Sequence, residues 1–325
     1  MVKSFCPSGN LKCKLCHVKF LLAAITIFVV CLRSHAMENG NIVRQLSLPE
    51  LLSYSTVQIK TDKGCGTGFI VSFQDAMTNS YPMMVTNKHI LDGAAQIVLD
   101  FTVRDANGLP TKEMYHYEST INDLYVVKHI GEEDDEDVCV FPIAHIYRKA
   151  HNAGKSLMTF PLRVCDVNSD PLACATAQIS QLIVIGYPAG MRDEVNNQPI
   201  FRTGMAATNP RIDYDGKKMF FVDVAIFPGS SGSPVLLYND GSILNPYNNS
   251  ICIDGQPRYV LLGLISQYWS TRDKVKYDNP YVATNPMLNA TVKVPLNLGL
   301  VVKVERILEL QRQFLCEIQQ RGVER

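Results

Sequence analysis

Three short segments of this chain carry side chains that can do chemistry together. His89 closes the run Val85-Thr86-Asn87-Lys88-His89-Ile90, Asp137 opens Asp137-Val138-Cys139-Val140-Phe141, and Ser231 sits in Phe227-Pro228-Gly229-Ser230-Ser231-Gly232-Ser233-Pro234-Val235. Taken singly, each has a plain reading: a structural histidine at a strand end, a solvated acidic turn, a glycine-bracketed bend. Together they supply what acyl transfer needs. A hydroxyl is a poor nucleophile at its free pKa, so it needs an imidazole to take its proton, and the imidazole needs a carboxylate to fix its tautomer and stabilise its cation. Glycines beside the serine let the backbone turn sharply and aim N–H groups at a tetrahedral oxyanion; Gly229 and Ser231 would donate them. The three groups follow in the order histidine, aspartate, serine, spaced by 48 and 94 residues, each beside an apolar run. This chemistry requires no metal and no cofactor.

One residue competes for the carboxylate role. Asp123, in Asn122-Asp123-Leu124-Tyr125-Val126-Val127, also opens an apolar run, 34 residues after His89. Asp137 is preferred because Val138 and Cys139 continue a small, alternating pattern that buries a carboxylate, whereas Asp123 is followed by a leucine and a tyrosine.

The elements that must position these groups read as β-strands. From Ser55 onward, apolar runs of four to eight residues are bounded by glycine, asparagine, aspartate and proline, the texture of a strand-rich chain. Strands are expected over 56–60, 68–73, 83–87, 96–104, 124–129, 138–143, 181–186, 219–225, 234–238 and 259–267. Ten short strands without intervening helical periodicity predict barrels or a sandwich. Over 304–320, Ile307, Leu310, Phe314 and Leu315 recur at helical spacing, so the chain is expected to end in an amphipathic helix. The stretch 144–180, rich in alanine, asparagine and serine, is the natural place to divide two halves.

The chain has 325 residues, 31 basic and 31 acidic side chains, 46% apolar and 19% charged residues. Those figures suit one large or two smaller folded domains and exclude disorder, collagen and coiled coil. No basic block stands in the body of the chain, so nucleic acid is not an expected partner. Residues 1–36 hold Lys3, Lys12, Lys14, Lys19 and Arg33 with no acidic residue, around a thirteen-residue apolar run at 20–32 followed by Ser34-His35-Ala36. That is the pattern of a signal peptide, and the protein is expected to be exported, periplasmic or secreted, after cleavage at Ala36. The alternatives are an uncleaved N-terminal membrane anchor through 20–32, although thirteen helical residues cover only about 20 Å of a core roughly 30 Å thick, or a start at Met37. Cys13-Lys14-Leu15-Cys16-His17 has the spacing of a c-type haem site, but it precedes the apolar run and is read as accidental, as is zinc binding by Cys6, Cys13 and Cys16. Cys165 and Cys174 flank a polar loop and would close a small disulfide in an oxidising compartment.

At this point the sequence resembles the trypsin and chymotrypsin-like serine peptidases. Thr86-Asn87-Lys88-His89 stands for the family's histidine motif, Asp137-Val138-Cys139-Val140 for its aspartate motif, and Gly229-Ser230-Ser231-Gly232-Ser233-Pro234 for its serine motif. The likeness runs from about residue 50 to 303, and Pro228-Gly229-Ser230-Ser231-Gly232 is closest to the bacterial HtrA-type and glutamyl-endopeptidase-type branch. The resemblance implies an all-β fold: two six-stranded antiparallel Greek-key barrels, a chymotrypsin-like double barrel with a C-terminal α-helix. The N-terminal barrel would span 50–155 and carry His89 and Asp137; the C-terminal barrel would span 156–303 and carry Ser231, with the helix at 304–325. It implies a serine endopeptidase acting on polypeptides through an acyl-enzyme. Only 22 residues follow Lys303, too few for the PDZ domain of HtrA-type enzymes. Ser230 stands where trypsin-like zymogens carry an aspartate that pairs with a newly freed N-terminal ammonium. The oxyanion hole would therefore be arranged by folding itself or by a partner.

The same resemblance places Ala225, Ser266, Gln267 and Tyr268 around the substrate pocket. Ala225 in place of an aspartate disfavours lysine and arginine substrates, and Ser266 replaces the histidine with which glutamyl endopeptidases hold an acidic side chain. Gln267 and Tyr268 replace small residues, so a shallow site for small or medium apolar side chains is expected, with Asp223 another residue of that region. Two other classes of function remain beside the peptidase: a catalytically silent protease fold used for binding, and a membrane-tethered interaction module.

Overall fold

The computed structural model describes residues 45–128, 137–165, 180–239, 241–244, 251–253, 257–274 and 291–323. Contacts separate residues 1–45 from residues 46–325, and the fold described here is that of the second unit. The leader with Cys6, Cys13, Cys16 and Cys31, and Cys174 opposite Cys165, lie outside the described residues.

A short helix, α1 (Leu48–Leu52), enters the first sheet. That sheet comprises β1 (Thr56–Thr61), β2 (Gly64–Gln74), β3 (Ser80–Thr86), β4 (Gln96–Arg104), β5 (Pro110–Thr120), β6 (Val127–Lys128), β7 (Cys139–Pro142) and β8 (Ser156–Leu157). Its order is β5-β4-β1-β2-β3-β7-β6, with β8 added on β4. It has eight strands where six were expected. The extra ones are β5, which pairs along β4 from Gln96↔Thr120 to Arg104↔Pro110, and the two-residue β8. The expected strand over 124–129 shrinks to β6, because Ile121–Asp123 forms a 3₁₀ turn capped by the Thr120 hydroxyl. The stretch 144–180, read as a divider, opens with a helix, α3 (Ala144–Asn152), whose Ile146 and Ala150 are buried one turn apart; α2 is the single turn Lys88–Leu91 that follows β3.

The second sheet is a closed six-stranded barrel of β9 (Gln181–Gly186), β10 (Ile200–Ala206), β11 (Met219–Asp223), β12 (Pro234–Asn239), β15 (Arg258–Lys274) and β16 (Thr291–Lys303), in the order β10-β11-β16-β15-β12-β9. Between β12 and β15, β13 (Ser242–Leu244) and β14 (Ile251–Ile253) pair as a small hairpin. All sheet ladders are antiparallel. The mostly-β fold with a C-terminal helix stands, with one sheet closed and the other larger than expected.

One core spans both sheets. Phe69, Val71, Phe73, Met83 and Val85 of the first pack with Leu182, Val184, Val235, Leu264 and Val301 of the second. The last helix, α4 (Val304–Val323), adds Val304, Ile307, Leu310 and Phe314 to that core. Phe314 meets the rings of Phe73 and Tyr81 at 6.1 and 5.7 Å, so a helix that continues directly from β16 is fastened to β2 and β3. Burying four large apolar side chains contributes roughly 1.5–3 kcal/mol each. A second cluster, including Ile59, Ile70, Met84, Ile97, Leu99 and Phe141, belongs to the first sheet alone.

Candidate active site

His89 lies in α2, a helix too short to hold itself. Its anchor is the next residue, Ile90, which is 8% exposed and lies so close over β2 that a Cβ on Gly66 would stand 2.4 Å from its Cδ1. Asn87 does not cap the turn. Its side-chain amide donates to the Asp137 carbonyl at 2.5 Å, tying the entry of α2 to the entry of β7. The Asp137 carboxylate then receives three hydrogen bonds: the His89 backbone N–H on Oδ1 (3.1 Å), and His89 Nδ1 (2.5 Å) and the Ser266 hydroxyl (3.0 Å) on Oδ2. Asp123 is elsewhere engaged, its carboxylate accepting from the Thr120 hydroxyl at 2.8 Å.

These contacts set the protonation of the pair. Hydrogen bonding to Asp137 raises the His89 pKa; burial opposes this, and the charges of Asp137 and Asp92 add to it. Burial pushes the Asp137 carboxyl up, but the bond and charge of His89, its backbone N–H and the Ser266 hydroxyl outweigh it and hold it below the ordinary carboxylate range. The arrangement keeps an anion beside an imidazole that holds a proton on Nδ1 and leaves Nε2 free to accept one.

Ser231 is fixed by its neighbours on both sides. Its carbonyl accepts from the Thr67 N–H of β2 at 2.9 Å, and the following Gly232 N–H donates to Ile265 O of β15 at 2.8 Å. The backbone at Ser231 is thus pinned between the two sheets. Its hydroxyl points to the Ser266 carbonyl at 3.5 Å, and among the described residues no hydrogen bond joins it to His89.

The turn before Ser231 has a specific hand. Ser230 N–H donates to Phe227 O at 3.0 Å, and Gly229 has φ +92°. Proline then glycine at the centre of a four-residue turn is what a type II turn takes, because its third position needs positive φ. The Pro228 carbonyl accepts from the Ala189 N–H at 2.6 Å. Since C=O and N–H of a trans peptide point in opposite directions, the Gly229 N–H faces away from Ala189. Among the described residues neither Gly229 N–H nor Ser231 N–H has a protein acceptor. Thr67 braces the same turn, its hydroxyl donating to Gly229 O at 2.9 Å.

The residues expected to form the pocket divide. Gln267 and Tyr268 are exposed and Ala225 is half-buried. Ser266 is different: it is 3% exposed and its hydroxyl is committed to Asp137, so its side chain belongs to the histidine–aspartate pair and not to the pocket. Asp223 is exposed within β11, opposite Met205 and Leu298. Two residues without any motif shape the space. Val224 N–H bonds Asn297 O at 2.9 Å, and the buried Ile226 lies where a Cβ on Gly299 would stand 2.0 Å from its Cδ1. Ile226 therefore fills the gap between the serine turn and β16. Of the residues missed by sequence reasoning, Ile226 had a signal, since it sits one place after Ala225. Thr67 and the Ser266 hydroxyl had none, because their partners lie more than a hundred residues away.

The described residues agree with what comparison with known proteins finds. A family model for the trypsin-like peptidase domain matches residues 66–244. No curated protein matches the chain in sequence. Similar solved structures include a serine-to-alanine mutant of Rv3671c from M. tuberculosis H37Rv in its inactive form, at 13% identity and TM-score 0.42, covering 86% of this chain and 94% of that one. Another is the scabies mite inactivated protease paralogue S-I1, at 13% identity and TM-score 0.43, covering 81% of this chain and 95% of that one. Because the family match takes in more than half of the chain, and with it His89, Asp137 and Ser231, this protein belongs to the trypsin-like peptidase domain family.

Proposed function

We propose that this protein is a serine endopeptidase, in which His89 takes the proton of Ser231 as its oxygen attacks the scissile carbonyl, Asp137 orients His89, and the Gly229 and Ser231 N–H groups hold the oxyanion. The tetrahedral species collapses as His89 gives its proton to the leaving amine, and water then releases the acyl group by the same steps in reverse. The observation that carries this reading is the 2.5 Å bond between His89 Nδ1 and Asp137 together with two amides on the Ser231 turn that have no protein acceptor among the described residues. The Pro228-Gly229-Ser230-Ser231-Gly232 turn favours the HtrA-type and glutamyl-endopeptidase-type branch. The buried Ile226, packed against Gly299 of β16 beside the serine turn, supports small or medium apolar side chains before the scissile bond. The leader reading of residues 1–36 joins this proposal, with polypeptides outside the cytoplasm as substrates.

The test is covalent labelling of the full chain with a fluorophosphonate, with the adduct located by mass spectrometry. Adduct on Ser231 that disappears in Ser231→Ala and in His89→Ala is the expected result. A folded chain that takes no label would replace the peptidase with the silent binding fold.

The pH dependence follows from the direction of the His89 shift. The base must be neutral to act, and its pKa is raised by Asp137. Labelling and kcat/KM should therefore rise with pH through a midpoint above the ordinary histidine value of about 6.5. A rate that is flat across the acidic and neutral range would remove His89 from the mechanism.

A further inference from the structure

The turn that holds the Pro228 carbonyl is itself held by charge. Asp100, on β4 and 3% exposed, accepts from Lys60 Nζ (3.0 Å) and Arg192 Nη1 (2.8 Å) on Oδ2, and its Oδ1 lies 2.5 Å from His116 Nδ1. Lys60 and His116 belong to the same sheet as Asp100 and have largely exposed side chains. Arg192 belongs to the second half of the chain, and its side chain is 4% exposed. Asn197 completes the seat: its carbonyl oxygen accepts from Arg192 Nη1 at 2.9 Å, and its amide donates to Asp100 O and to the Thr102 hydroxyl. The Glu194 carboxylate accepts from Arg192 Nε at 2.9 Å.

Arg192 stands two residues after Gly190, and the chain leading up to it is bound to β1 at two further points. Gln58 Nε2 donates to Gly190 O at 2.9 Å, and the buried Tyr187 hydroxyl donates to Thr56 O at 3.3 Å. Between these ties Ala189 is forced to φ +53°, a conformation a residue with a Cβ rarely takes, and it is the Ala189 N–H that bonds Pro228 O. An ionic attachment, a strained turn and the peptide preceding Gly229 are thus joined in series.

We propose that Asp100 and Arg192 are positioning residues for the oxyanion hole: their buried ion pair fixes the Tyr187–Arg192 turn on the first sheet, and that turn keeps the Pro228 carbonyl out of the cleft so that the Gly229 N–H faces it. This rests on the peptidase reading for its functional meaning, but the coupling between the two turns is a claim about structure alone. The alternative orientation of the Pro228–Gly229 peptide needs only its rotation, and would turn a carbonyl toward the developing oxyanion in place of a donor. Something must choose between them. Ser230 carries no charge to do so, and the Ala189 N–H is the group that bonds the Pro228 carbonyl.

Arg192→Met is the discriminating variant, because Asp100 keeps Lys60 and His116 and the first sheet keeps its charge balance. In the full chain, hydrogen exchange of peptides covering 187–192 and 227–232 should accelerate together, by at least about tenfold. The fluorophosphonate rate constant and kcat should fall by about ten- to several-hundredfold, approaching the roughly 10²–10³-fold cost of removing one oxyanion donor outright. KM and the pH midpoint assigned to His89 should stay in place, and Arg192→Lys should recover part of the loss. Faster exchange confined to 187–192, or wild-type exchange and labelling in Arg192→Met, would overturn the proposal. So would a shift of the His89 midpoint in parallel with the loss, since that marks a general disturbance. If wild type itself fails to label, the peptidase reading falls, while coupled exchange of the two segments would still uphold the positioning role and uncoupled exchange would end it.

Discussion

Asp137→Asn is expected to lower kcat by about 10⁴-fold, with KM and thermal stability nearly unchanged. The reason lies in which atom the amide would place against the imidazole. Asp137 Oδ1 accepts from the His89 backbone N–H, which can only donate, so the asparagine oxygen must take that position. Its NH₂ then falls at the Oδ2 position and donates to His89 Nδ1. That fixes the tautomer with the proton on Nε2, the nitrogen that must accept from Ser231. The Ser266 hydroxyl rotates to accept instead of donate, so packing is preserved. With the carboxylate gone, the midpoint of the residual pH profile should move down, because Asp137 is the main cause of the raised His89 pKa. A loss of less than about tenfold by steady-state kinetics would mean that another carboxylate serves His89.

Gly232→Ala is expected to destabilise the protein by ~4 kcal/mol or more, enough to put it among the rare severe substitutions. Gly232 has φ +83°, and a Cβ there would stand 1.9 Å from the Thr67 carbonyl oxygen and 2.9 Å from the Thr86 hydroxyl. Neither can retreat, because Thr67 O accepts from that same hydroxyl at 2.8 Å while Thr67 N–H holds Ser231 O. Gly108→Ala is the control. Its φ of +79° is similar but no atom stands within 4 Å of the added Cβ, so it should cost only the left-handed penalty of about 1–2 kcal/mol. Urea unfolding of the two variants separates the clash from the dihedral. Equal midpoints would show that the two sheets can part at Thr67 without loss.

What the sequence disclosed depended on how far each feature reaches along the chain. The strands at 96–104 and 181–186 were legible to the residue because their apolar runs end in clear turn signals. β5, reading Pro-Thr-Lys-Glu-Met-Tyr-His-Tyr-Glu-Ser-Thr, was not, because only Tyr117 of that edge strand is buried and its polar residues hide the alternation. α3 was hidden for a different reason: only Ile146 and Ala150 are buried, in a stretch whose composition suggests a linker. His89, Asp137 and Ser231 could be picked out by type and local motif. Ser266 was read as a pocket residue from its place after Ile265 in the family resemblance, while its hydroxyl partner is 129 positions away. Arg192 and Asp100, 92 positions apart, carry no local mark of their pairing.

The strapping of α4 across β2 and β3 has a bearing on how the molecule comes into being. The first sheet is synthesised early, yet part of its inner face is closed by Ile307, Leu310 and Phe314, near the end of the chain. A polypeptide leaving the ribosome would hold that face open until residues 307–314 had emerged. The Thr67–Ser231 bond likewise joins residues 164 positions apart. Contacts of such long separation slow folding, because loop closure must precede any gain from them. A nascent chain therefore has neither the closed core nor the pinned serine turn until residues 307–314 have emerged, and its exposed apolar face in that interval is the surface a holding chaperone would cover.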